Sequence, residues 1–168
     1  VKVGGEVISD IDGSEMTVRA ISLDINKAIN HANGHDDPKY INRPELKEGN
    51  WPTSSNQCLV DESFLSTPEE FKIGSVITIE GDGSDISGSL ENTQYTVVGI
   101  IRTPLYISYE RGNTTVGTGK LGTFVYIPSE NFKSNYYSAM SIKLRDSGLY
   151  EPFSEEYYAF VKTYTDYI

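Results

Sequence analysis

The stretch Tyr95–Pro104 (YTVVGIIRTP) constrains the fold more than any other part of the chain. In an extended backbone Tyr95, Val97, Gly99 and Ile101 share one face, and Thr96, Val98, Ile100 and Arg102 share the other. Both faces carry apolar residues, which predicts a central strand covered above and below. The β-branched content favours strand over buried helix, and an interior glycine suits a helix poorly. Pro104 closes the segment because proline donates no ladder hydrogen bond. Nothing on it is a nucleophile, metal ligand or general base, so it speaks to fold rather than to chemistry.

A chain of 168 residues makes one domain, or two small lobes sharing a core. Hydrophobic content of 38% with 11% aromatics argues against disorder. The net charge of −10, from 24 acidic and 14 basic residues, opposes phosphate backbones and anionic lipid head groups, which excludes nucleic-acid binding from the expectations. A lone Cys58 rules out an internal disulfide. No run of 18 apolar residues and no signal peptide is present, and a start at Val1 suggests a piece excised from a longer protein.

Asp12-Gly13 is a turn dipeptide between Glu6–Ser9 and Glu15–Ser22, which predicts a hairpin. Ile25–Ala32 reads as a short helix ended by Gly34. Residues 35–56 read as a long ordered loop with at most one helical turn, pinned by Trp51. Gln57–Asp61 is a short strand. Thr67-Pro68-Glu69-Glu70 marks a helix start, Gly74 stops that helix, and Phe71 and Ile73 turn inward. Ser75–Glu80 and Thr123–Pro128 follow as strands, with polar excursions at 81–88 and 106–122. Met140, Ile142 and Leu144 alternate with Ser141, Lys143 and Arg145, which predicts a half-solvated strand. A final helix begins at Ser154, with Phe153 expected to staple to Tyr158, and with Tyr157, Phe160, Val161, Tyr164 and Ile168 as its apolar stripe.

Candidate chemistry is sparse. Gly117, Gly119 and Gly122 spell a G-x-G-x-x-G pattern, yet a strand rather than a helix follows, so no helix N-terminus can hold a pyrophosphate. The segment reads instead as a mobile, hairpin-like loop. His31 and His35 stand near Asp36 and Asp37, but Gly34 breaks the helix between them, and two solvated loop histidines fit better than a metal site. With these two histidines in one polar loop, no Ser–His–Asp or Cys–His assembly is expected. Asn113 heads an Asn-x-Thr sequon. Expected catalytic, metal and cofactor residues are therefore none.

Four stretches together resemble a known family. Glu48–Pro52 (EGNWP) resembles its EGRWP element, with Asn50 in place of the arginine. Cys58–Phe64 (CLVDESF), Phe71–Ile79 (FKIGSVITI) and Tyr95–Pro104 resemble the elements that follow, in the same order and spacing. This is similar to the MacB-like core domain that lies outside the membrane in FtsX-like ABC transporter permeases, over roughly residues 46–127. Each motif also has a physical role of its own. Gly49 and Pro52 bend the chain so that Trp51 covers a sheet edge, Gly74 ends a helix, and Gly99 admits close approach to the central strand.

The resemblance implies an α+β domain with mixed sheets, a few short helices and two lobes. The membrane-proximal α/β lobe would span 1–33 and 137–168, and the distal β-rich lobe 38–132. It implies a non-catalytic extracytoplasmic domain, on the outer face of a bacterial cell of Gram-positive type, that passes ATP-driven conformational change to an extracellular substrate or partner. The partners it implies are a cytoplasmic ATP-binding subunit, reached through a dimeric parent permease, and an extracellular peptide, lipoprotein or protein. Tyr106, Tyr109 and Arg111 in the glycine-rich excursion are the expected partner-contact residues, since exposed aromatics and arginine are common anchors. The rival expectations are a free-standing adhesion or carbohydrate-binding module, which also needs strands and tyrosines, and a hydrolase using two of the carboxylates.

Overall fold

The computed structural model describes residues 3–11, 14–62, 71–81, 86–105, 108, 111–117, 119–134, 137 and 139–165. Strands β1 (Val3–Ile11) and β2 (Ser14–Leu23) form the expected antiparallel hairpin, with Ile11 opposite Ser14. The Asp12-Gly13 turn itself lies outside the described residues. β2 runs parallel to β7 (Thr123–Pro128), from Val18 opposite Thr123 to Leu23 opposite Pro128. β7 pairs antiparallel with β4 (Gln57–Asp61), and β4 pairs parallel with β6 (Gln94–Arg102). β6 then pairs antiparallel with β5 (Val76–Glu80), and β5 pairs antiparallel with β1.

The pairing order β6-β4-β7-β2-β1-β5 therefore returns to β6 and closes a six-stranded mixed barrel. Closure leaves these strands few bare edges. β3 (Glu45–Gly49) extends the sheet along the C-terminal half of β6, opposite residues 99–102, beyond the point where β5 leaves it. The fold is α+β. The ring takes β1 and β2 from residues 1–33 and its other strands from 38–132, so strands from both expected lobes share one sheet.

The barrel is filled by side chains. Val18, Ala20, Cys58, Val60, Ile77, Ile79, Tyr95, Val97, Val125 and Ile127 meet inside, joined by Phe71, Leu90 and Phe132 from the connections. A second apolar cluster lies on the outer face of β2, β4, β6 and β7. There Ile21, Leu23, Leu59, Phe124 and Tyr126 are covered by Ala28 and Ile25 of α1 (Ile25–Ala32) and by Leu46 and Trp51. Asp24 caps α1 by accepting a hydrogen bond from the Lys27 backbone N–H at 3.0 Å, and Gly34 ends it at φ +86°.

All six residues of β7 are buried, as its two-faced apolar pattern predicts. β6 behaves differently from the expectation. Its register against β4 skips Val98, from Cys58 opposite Val97 to Leu59 opposite Gly99. That bulge reverses the side-chain parity of the strand. Tyr95 and Val97 thus fill the barrel, whereas Ile101 joins the outer cluster with Leu59 and Phe124.

Other expectations need correction. The polar loop at 35–56 contains β3, and no helix is assigned there. β3 escapes a pattern reading because four of its five residues are exposed and only Leu46 packs inward. Phe71 is fully buried, but Ile73 is 39% exposed. The helix start at Thr67–Glu70 lies outside the described residues. Met140–Arg145 forms no strand: no ladder joins it to a described strand, and alternation alone does not make one. The last helix, α2 (Glu155–Thr165), begins where expected, and Ser154 Oγ accepts from the Tyr157 N–H at 3.1 Å. None of its residues is buried, and Phe153 is 79% exposed at φ +66° rather than stapled against Tyr158.

Candidate functional site

The excursion between β6 and β7 is the longest connection that carries sequence-expected contact residues. Tyr106 and Tyr109 lie outside the described residues. Arg111 does not offer its guanidinium to solvent. Its side chain is 5% exposed, and Nη2 lies 3.4 Å from Oδ2 of Asp61, whose side chain is 3% exposed. Its Nη1 donates to the Ser108 carbonyl at 3.1 Å, and the guanidinium carbon sits 5.3 Å from the centroid of the Phe124 ring. Arg111 therefore pins the excursion to the end of β4 and to the outer face of β7. A buried, multiply bonded arginine holds structure and leaves little of itself for a partner.

Asp61 is a residue that sequence reasoning passes over. The available signal is a carboxylate closing the apolar run CLV, a position where a charge must find a partner if the strand is central. Beyond Arg111 the excursion folds back on itself. Thr114 N–H donates to Gly119 O at 3.1 Å, Leu121 N–H donates to Gly112 O at 3.1 Å, and Asn113 bridges Lys120. The segment is hairpin-like, and its glycine pattern runs directly into β7 with no helix to receive a phosphate.

The four structural motifs gather on β6. Gly49 sits opposite Gly99, and Asn50 N–H donates to Val98 O at 2.9 Å. Gly74 N–H donates to Val97 O at 2.8 Å with φ at +96°. Pro52 is buried, and half-buried Trp51 packs on the outer cluster. At one end of the barrel fully buried Asn131 donates from Nδ2 to Ser55 O at 2.6 Å and accepts from Asn92 Nδ2 at 2.7 Å. Tyr95 Oη donates to Asn92 O at 2.7 Å, so the plug is polar and satisfied.

His31 lies in α1 rather than in a loop, half-buried, with its ring edge-on to Tyr40 at 6.1 Å. His35 Nδ1 instead meets the Asn30 carbonyl at 3.2 Å, so the two histidines do not converge. Among the described residues no group of three or more His, Cys, Asp or Glu could hold a metal ion. Cys58 is fully enclosed in the barrel, and burial pushes its thiol far up, away from the nucleophilic thiolate.

Two concavities flank the segment 38–44. One, of about 520 Å³, lies against α1 and is lined by Leu23, Asp24, Tyr40 and Tyr126 among others. Tyr40 Oη is buried there with no hydrogen-bond partner among the described residues, and burial, reinforced by the Asp24 carboxylate, pushes its ionisation up to about 12. The other, of about 1030 Å³, is an open groove between that segment and α2. Three of the exposed large apolar side chains, Met140, Ile142 and Tyr164, line it. Met140 is 73% exposed and Ile142 51%, and Tyr137, Leu149, Phe153, Tyr158 and Tyr164 also face solvent. Exposed apolar side chains thus occur along the C-terminal segment, whereas the Arg111 side chain is buried.

No helix among the described residues is long and apolar enough to cross a membrane. No protein-family model matches the chain, and no curated protein matches it. Among solved structures, one similar chain is described as the extracellular domain of the noncanonic ABC-type transporter YknZ from Gram-positive bacteria. The two share 8% identity at a TM-score of 0.38, over 77% of this chain and 52% of that one. This chain thus spans about half the length of that domain, and a similarity of this size carries no argument about function.

Proposed function

We propose that this chain is an extracytoplasmic domain of an FtsX/MacB-type ABC permease, non-catalytic in itself, that transmits ATP-driven conformational change to an extracellular substrate or partner. One observation carries the reading: the four motifs behind the family resemblance, dispersed over residues 48–104, pack on one another around β6. Gly49 meets Gly99, Gly74 bonds Val97, β4 runs alongside, and Trp51 covers the outer cluster. Motifs matched by chance have no reason to converge on one strand. A tightly closed barrel pinned by a buried ion pair also suits a body that must move as a unit rather than deform.

On this reading a cytoplasmic ATP-binding subunit drives the parent protein, which is dimeric and faces an extracellular peptide, lipoprotein or protein. The test is the reading frame that surrounds the chain. One apolar helix of about 20 residues upstream and three downstream are expected. A flanking frame with a cleavable signal and no spanning helix would overturn the proposal in favour of a free-standing binding module.

A further inference from the structure

The C-terminal cap of α1 is built on a chemically reactive dipeptide. Asn33-Gly34 is the one place in the sequence where glycine follows asparagine. Glycine has no side chain to obstruct its own nitrogen, which can reach the asparagine amide carbon and close a five-membered imide ring. Both residues are exposed, and the Asn33 side chain makes no hydrogen bond to a described residue, which leaves its amide open to attack.

The fold holds the attacking nitrogen elsewhere. Gly34 N–H donates to His31 O at 2.9 Å and His35 N–H donates to Asn30 O at 3.0 Å, with Gly34 at φ +86°. These are the two bonds of a Schellman cap. Asn33 sits at φ −83° and ψ 11°, with its own N–H donating to the Ile29 carbonyl at 2.9 Å, and the imide ring requires a different ψ. Ring closure therefore waits on the opening of this last turn, and exposed helix ends open at small free-energy cost.

We propose that Asn33 is a modification site at which water replaces the side-chain amide, and that the α1 cap gates the reaction. Gly34 N gives its proton to solvent and bonds to Asn33 Cγ, while the amide nitrogen takes up a proton and leaves as ammonia. Water then opens the imide at either carbonyl, giving aspartate, or isoaspartate with the main chain routed through the former side chain. Aspartate sets a negative charge at the negative end of α1, and isoaspartate adds a methylene to the main chain, so neither product rebuilds the cap as it was. The change runs one way. α1 lays Ile25 and Ala28 on the outer cluster and His31 edge-on to Tyr40, so losing its cap loosens that cover. The site is intrinsic to α1 and does not depend on what the parent protein carries.

The test ages the chain at mildly alkaline pH, with and without urea, and reads residues 28–39 by peptide mapping and mass spectrometry for conversion of Asn33 to an acid. In urea Asn33 should convert ahead of every other asparagine. In the folded chain its conversion should be slower by about tenfold or more, because only the opened fraction reacts. Asp24→Ala removes the N-terminal cap of α1 without touching the dipeptide, and should speed conversion in the folded chain while leaving the rate in urea unchanged. Amide hydrogen exchange across 28–32 should be faster in the converted chain, and in Asn33→Asp, than in the fresh one. Equal rates with and without urea, indifference to Asp24→Ala, or earlier conversion of another asparagine overturns the proposal. Unchanged exchange in α1 after conversion overturns the loosening.

Discussion

Gly49 and Gly99 face each other as paired residues across β3 and β6, and neither position has room for a side chain. A Cβ on Gly49 would lie 2.3 Å from Val98 O and 2.8 Å from Gly99 Cα, and φ there is +80°. A Cβ on Gly99 would lie 2.7 Å from Asn50 O and 2.9 Å from Glu48 O. Backbone, not a yielding side chain, stands in the way at both positions. The pair lets β3 approach the bulged part of β6 and turn Trp51 onto the outer cluster.

Alanine at Gly49 should therefore destabilise the domain by about 3 kcal/mol or more, through clash and left-handed strain together. Gly74 offers a control. Its φ is +96°, but a Cβ there would meet nothing within 4 Å, so alanine should cost only about 1 kcal/mol. Urea denaturation of the two variants checks the contrast, and equal losses would contradict it.

The ion pair between Asp61 and Arg111 makes a second prediction. Arg111→Met removes the cation that faces a carboxylate only 3% exposed, and should cost about 3–5 kcal/mol in urea unfolding. The double replacement Asp61→Leu with Arg111→Met should recover a large part of that loss, because it leaves no buried carboxylate facing the lost cation. Additive losses in the double mutant would show that the pair does not act as a unit.

Tyr40 governs part of the alkaline limb. Its hydroxyl, raised from 10.0 to about 12 chiefly by burial, stays protonated in the folded chain at a pH where the unfolded chain has ionised. The stability this contributes is complete below pH 10 and is lost as pH rises from 10 through about 12. Tyr40→Phe should flatten that limb in a pH series of denaturation curves. An unchanged slope would mean that the phenol is not enclosed.

Tyr106 and Tyr109 remain the proposed contacts of the excursion that Arg111 pins. Replacing both with alanine should impair transport by the parent protein while leaving the melting temperature nearly unchanged. Normal transport in the double mutant removes the excursion from the contact surface.

Local signals are readable where one element satisfies them alone. The β1–β2 hairpin, α1, β7 and the Ser154 cap all follow from residues adjacent in sequence. What escapes a reading of the sequence depends on pairing between distant segments. The bulge that sends Ile101 outward arises from β4's register, and barrel closure depends on β5 meeting both β1 and β6. The alternation at Met140–Arg145 reads as a strand because the pattern is local, whereas a strand exists only beside a partner. Arg111 reads as an exposed anchor because its neighbourhood of glycines and tyrosines has the composition of a surface loop. Its burial is decided by Asp61, fifty residues earlier.

The most direct test of the proposed mechanical role is a distance measured in the parent protein with its ATP-binding subunit. Thr115→Cys places a spin label on an exposed site of the excursion, while Cys58, enclosed in the barrel, stays unlabelled. The separation between labels on the two copies of the parent should differ between the nucleotide-free and ATP-bound states. An identical distance distribution in both states would contradict the claim that this domain transmits the work of ATP.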